Sequence, residues 1–142
     1  MTADEVLGRL AAATQATVTV RSGGAGTEGQ GAGHAQATRD GTAVTVSEAG
    51  TWTYGDARPM RWRAASTWCR DGEALAVEHL RQGTPAAAVL DRQPDGRWVG
   101  RAPHHCGADR YHAEVEATAD EVVVTWTISG PCKAARIVTR YR

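Results

Sequence analysis

The sequence predicts an all-β domain, an antiparallel barrel of about ten short strands with one short helix at its N-terminus. Three observations lead there. Asp-Gly, the pair that two-residue hairpin turns favour, occurs at Asp40-Gly41, Asp71-Gly72 and Asp95-Gly96. Further breaks fall at Ala49-Gly50, Gly55–Pro59, Gln82–Pro85 and Gly130-Pro131, which leaves runs of roughly five to ten residues. Within those runs apolar residues alternate with a period of two. This spacing argues for a barrel or sandwich and against βαβ units.

The helix comes first. Thr2 and Glu5 have capping-box spacing, and Val6, Leu7, Leu10 and Ala11 recur on one face. The helix is read over residues 3–13. Thr17–Arg21 then alternates and is β-branched. Ser22–Gly33 is rich in glycine, holds no bulky residue and offers little apolar area to offset its ordering entropy, so 22–33 is expected to be a flexible loop. In Met60–Cys69 one side carries Met60, Trp62, Ala64, Ser66 and Trp68, opposite Arg61 and Arg63. In Tyr111–Ala117, Tyr111, Ala113, Val115 and Ala117 oppose His112, Glu114 and Glu116. In Val122–Ser129, Val122, Val124, Trp126 and Ile128 oppose Val123, Thr125, Thr127 and Ser129. One apolar face per strand is what a barrel with a single interior requires.

The chain has 142 residues, the size of one domain, 1–142. Lys+Arg and Asp+Glu are 16 each, so there is no basic excess to neutralise phosphates or a membrane surface. No apolar run approaches the roughly 20 residues that span a bilayer. Three cysteines, an odd number, do not make a secreted disulfide framework. The acidic start Met1-Thr-Ala-Asp-Glu lacks the basic region of a signal peptide, and a cytoplasmic location is expected. Nearly all positive charge is arginine; with abundant Ala and Gly this points to a GC-rich bacterial genome. The oligomeric state is open, a dimer included.

Two segments carry a family resemblance: Ala102-Pro-His-His-Cys-Gly-Ala-Asp-Arg-Tyr111, and Trp126-Thr-Ile-Ser-Gly-Pro-Cys-Lys-Ala-Ala-Arg-Ile-Val-Thr-Arg-Tyr-Arg142. The chain resembles an uncharacterised bacterial family of small calycin-like, lipocalin-related barrels, a domain of unknown function. The resemblance implies an up-and-down barrel closed by the C-terminal hairpin, with a cavity for a small apolar molecule; separately, the residues themselves lead to an expectation of no cofactor. Members of that family tend to carry Gly-x-Trp where this chain has Ala13-Thr14-Gln15. After the Gly-x-Pro turn they tend to carry Phe-His, where it has Ala86-Ala87. Both departures imply a larger or altered pocket.

The candidate site residues follow from the faces. Trp52, Trp62, Trp68 and Trp126 either line a ligand cavity or fill a closed core, with Tyr111 on the same side. Glu48 shares the face of Val44 and Val46; inside the barrel it would lose water and suit proton transfer, whereas at the strand end it would sit in solvent. His104-His105-Cys106, with Asp109, Tyr111 and His112, is the densest group of reactive side chains, but no second pair at metal-site spacing completes a ligand set. No metal is expected, and Cys106 reads either as a nucleophile or as a small packed residue. Arg136 and Arg140 flank Val138 on one face of the last strand, placed to pair with Glu48, to hold an anionic ligand, or to close the barrel end by stacking on Trp126. The resulting expectation is a barrel that binds a small apolar or amphipathic molecule near the His104–Asp109 loop. A cofactor-independent isomerase or cyclase acting on an apolar, polyketide-like metabolite is the second reading, with Glu48, His104 and Tyr111 moving protons. A protein-interaction module is the third.

Overall fold

Capping opens the helix as its sequence suggests: the Thr2 hydroxyl accepts from the Glu5 N–H at 3.2 Å, and the Glu5 carboxylate accepts from the Thr2 N–H at 2.6 Å. The computed structural model describes residues 1–23, 27–81, 84–131 and 133–142. The helix, α1, is Ala3–Ala11, two residues shorter than expected. It stops because Thr14 and Gln15 turn their N–H groups to the Arg142 carbonyl, 2.8 and 2.9 Å away, drawing the chain into the sheet.

Eleven strands follow: β1 Gln15–Ser22, β2 Thr27–Asp40, β3 Ala43–Tyr54, β4 Met60–Asp71, β5 Ala74–Arg81, β6 Thr84–Arg92, β7 Trp98–Gly100, β8 His104–Cys106, β9 Asp109–Ala117, β10 Val122–Ser129 and β11 Ala134–Tyr141. Neighbours pair antiparallel from β1 to β7, then β7 with β9, β9 with β10 and β10 with β11. The pairing β11 to β1, Tyr141 opposite Ala16, closes the ring. Ten strands form the barrel wall; β8 pairs only with the start of β9 and stands outside it. The three Asp-Gly turns hold their glycines at φ of +59°, +62° and +90°, the region that other residues avoid. No helix among the described residues is long and apolar enough to cross a membrane.

The glycine-rich stretch corrects the loop expected at 22–33. Ser22 ends β1, and β2 runs from Thr27 through Gly29, Gly31 and Gly33; residues 24–26 lie outside the described residues, as do the turn residues 82–83 and Cys132. The glycines are strand because their missing side chains make room for rings. A Cβ at Gly31 would lie 3.0 Å from the Trp52 ring and 3.2 Å from the Trp62 ring, and one at Gly29 or Gly50 would enter Trp52 or Trp62 outright. The apolar area that the strand lacks is supplied by indoles from β3 and β4.

Two groups of buried side chains divide the interior. Val6, Leu7 and Leu10 of α1 seal one end against Trp68, Trp98, Leu90 and Val122. Each such residue contributes roughly 1.5–3 kcal/mol by leaving water. The Arg9 guanidinium donates to the Ala119 carbonyl and ties the helix to the β9–β10 turn. Val18, Val20, Trp52, Trp62 and Ala64 form the second group.

Candidate functional site

The helix sits where β3 begins and β4 ends, so in an antiparallel barrel the opposite mouth is made by the end of β3 and the start of β4. A cavity of about 540 Å³ occupies that mouth. Trp52 and Tyr54 of β3, Trp126 and Ile128 of β10 and Tyr111 of β9 supply its aromatic and aliphatic wall. Met60, 57% exposed, stands at its edge. Its polar groups are His79 of β5, Lys133, and Ser22 with Tyr54, whose hydroxyls lie 3.0 Å apart. The His79 and Trp126 rings are 6.1 Å apart. Ala86 also lines the wall, directly across from His79 in the β5–β6 register, while Ala87 points outward. Only the first of the two alanine departures therefore bears on the cavity.

Beyond the cavity wall, toward the helix, lies a buried polar chain. Ser66 of β4 is cross-strand from His79 and only 2% exposed. Its hydroxyl accepts from the Trp68 indole N–H at 2.8 Å and donates to the Tyr141 phenol, which in turn donates to the Glu48 carboxylate. Trp68, Ser66 and Tyr141 each find a partner inside the protein, as buried polar groups require. Burial first, then the Glu48 charge, hold the Tyr141 phenol well above its ordinary pKa, because a tyrosinate here would have neither water nor an opposite charge. The indole N–H groups of Trp62 and Trp126 meet no hydrogen-bond partner among the described residues and are held by packing alone.

The structure places the residues singled out in the sequence as follows. Trp126 and Tyr111 line the cavity. Glu48 is inside the barrel, 4% exposed, in the polar chain rather than in the cavity wall. Trp62 and Trp68 are interior but outside the cavity: Trp62 lies over Gly31 and Gly50, and Trp68 is sealed under α1. His104 stacks edge-on against Tyr111 at 6.2 Å, yet borders an outer groove with Cys69, Ala76 and Pro103. Cys106 is exposed. Arg136 and Arg140 stand away from Glu48 and Trp126. On β11 the inner face is Ala135, Ile137, Thr139 and Tyr141, so residues 136, 138 and 140 face out. Arg140 pairs with Glu121 at 2.6 Å, which removes both pairing with Glu48 and stacking on Trp126. Among the described residues no group of three or more His, Cys, Asp or Glu is placed to hold a metal.

Sequence reasoning passed over His79, Lys133 and Tyr141. The signal for two of them was present: Leu75, Val77 and His79 alternate on β5, and Ile137, Thr139 and Tyr141 alternate on β11.

The model of a protein family, DUF6314, a family of unknown function, matches residues 10–142. The chain belongs to DUF6314. That match takes in every strand of the barrel and begins in the last turn of α1, so in this DUF6314 member the cavity and the polar chain both lie within the family's span. No curated protein and no solved structure matches it.

Proposed function

We propose that this DUF6314 protein binds a small, largely apolar molecule inside the barrel. The observation that carries the reading is the cavity itself: about 540 Å³, at the end away from the helix, walled by Trp52, Trp126, Tyr111 and Ile128 with a few polar groups. Ligand sites in proteins are commonly of this size, mostly apolar, with few convergent polar groups. Native mass spectrometry of protein purified from its own host is the direct test, read as a bound mass that is lost on denaturation. Ala86→Phe supplies the matched control. It places a ring in empty space, so the bound mass should disappear while the melting temperature holds. A bound mass retained in that variant would put the ligand elsewhere.

A catalytic reading has its own support in the polar chain. His79 connects cavity and chain, because it lines the first and is cross-strand from Ser66 in the second. A substrate oriented by the Trp walls would meet an imidazole backed by hydrogen-bonded hydroxyls, an arrangement suited to isomerisation or cyclisation. Glu48→Gln keeps the shape and removes the charge. For an enzyme it lowers turnover with affinity intact; for a binder it changes affinity or nothing.

A further inference from the structure

Within that binding reading, the charge around the cavity selects the ligand. We propose that the cavity takes an amphipathic organic anion, with its apolar body against Trp52 and Trp126 and its carboxylate at the rim on Lys133.

Lys133 is the only lysine among the 16 basic residues of the chain. Six arginines among the described residues are engaged in surface pairs with acids: Arg21 with Glu28, Arg70 with Asp4, Arg97 with Asp95, Arg101 with Asp91, Arg140 and Arg142 with Glu121. Lys133 makes no ion pair among the described residues. Its ammonium stands 5.9 Å from the centre of the Tyr111 ring, and both side chains line the cavity. Among the described residues no aspartate or glutamate lines it. Of the acids nearby, Glu28 pairs outward with Arg21, and the Asp109 carboxylate lies against Gly130.

Among the described residues the wall therefore offers one cation, one imidazole, hydroxyls and indoles, with no negative charge to repel an anion. A neutral ligand would leave the ammonium unpaired beside an aromatic face. A cationic ligand would meet like charge. Lysine also suits the position better than arginine would, because its compact ammonium on a flexible stem can follow ligands of different length. Tyr111 holds the ammonium over the opening through its ring face.

The test uses the full-length protein and isothermal titration with two probe pairs, decanoate with decanamide and naphthoate with naphthamide. Each pair differs in charge and little in shape. Carboxylates should bind about fivefold more tightly than their amides, the effect of one partly exposed ion pair. Added salt should shrink that ratio. Lys133→Met should reduce the ratio to near one by weakening the carboxylates alone, and Lys133→Arg should keep it. Lys133 is exposed, so neither change should move the melting temperature. Equal affinity for acid and amide in the unaltered protein, or a preference that survives Lys133→Met, overturns the head-group assignment while leaving the cavity reading standing. Saturable binding of none of the four overturns both.

Discussion

Tyr141 is the residue on which the interior polarity turns. Its phenol accepts from the Ser66 hydroxyl and donates to the Glu48 carboxylate, so Trp68, Ser66 and Tyr141 point their donors in one direction, toward Glu48. Bonds aligned this way polarise one another. Tyr141→Phe removes one hydroxyl and leaves two buried groups short of a partner, which should cost about 1–3 kcal/mol in denaturant unfolding. The phenol's raised pKa also sets a pH limit. The folded state keeps the proton where the unfolded chain would release it, so stability is unaffected below the ordinary value of 10.0 and falls as pH rises beyond it. Tyrosinate absorbance from Tyr141, obtained by difference from Tyr141→Phe, should therefore appear only with unfolding. In Glu48→Gln the burial remains but the opposing charge is gone, and the Tyr141 phenol should ionise at lower pH than in the unaltered protein. Absorbance titration of the two proteins checks the sign. The sequence made Glu48 and Ser66 visible as inward candidates through alternation. It did not show that Tyr141, from the far end of the chain, reaches them across the barrel, because alternation reports a face and not what stands opposite.

At the scale of elements, β2 is the strand whose own residues say least. Propensity and hydrophobic pattern treat each segment as if it had to supply its own apolar surface, and on that basis Gly29, Gly31 and Gly33 argue for a loop. The strand forms because Trp52 of β3 and Trp62 of β4 cover it. Position therefore decides what a glycine substitution does. At Gly50 a methyl would run into the Trp62 ring and the Ala32 carbonyl, so Gly50→Ala should destabilise by about 1–3 kcal/mol and shift the tryptophan emission. At Gly8, on the exposed side of α1, nothing lies within 4 Å, and Gly8→Ala should stabilise by about 0.5–1 kcal/mol through helix propensity. Thermal or denaturant unfolding of the two variants side by side tests whether one residue change has opposite signs on the two elements. The outward arginines of β11 have a similar origin. Arg136, Val138 and Arg140 are as regular a row as Ile137, Thr139 and Tyr141, and the sequence attraction of a charged row lay in what it might bind. Water and Glu121 on the outside settle which row turns out.

The whole molecule divides its labour between two ends, one stopped by α1 and one open to the cavity. The fold class was legible because turn chemistry and period-two faces are local signals that a barrel repeats at every strand. The two ends were not, since nothing local says that α1 stops one mouth and leaves the other open. Leu10, fully buried at the stopper, should be worth about 2–5 kcal/mol by Leu10→Ala, measured as loss of unfolding free energy. The same change should make Trp68 and Trp98 accessible to acrylamide quenching, because both are 1% exposed beneath the helix. Affinity at the far mouth should survive, since the cavity wall shares no residue with α1.

The pairing of glycines with indoles has a further consequence for how the barrel finds its register. A strand that slips by two residues keeps every side chain on its proper face, so hydrophobic pattern alone does not punish that error. Here it would. Sliding β2 so that Ala35 took the place of Gly33 would press a methyl group into the Ala49 carbonyl and the Gly50 backbone. The glycine row ends at Gly33, against the Ala49 carbonyl, and that end acts as a stop against this misalignment of β2 on β3, which polarity alone would accept.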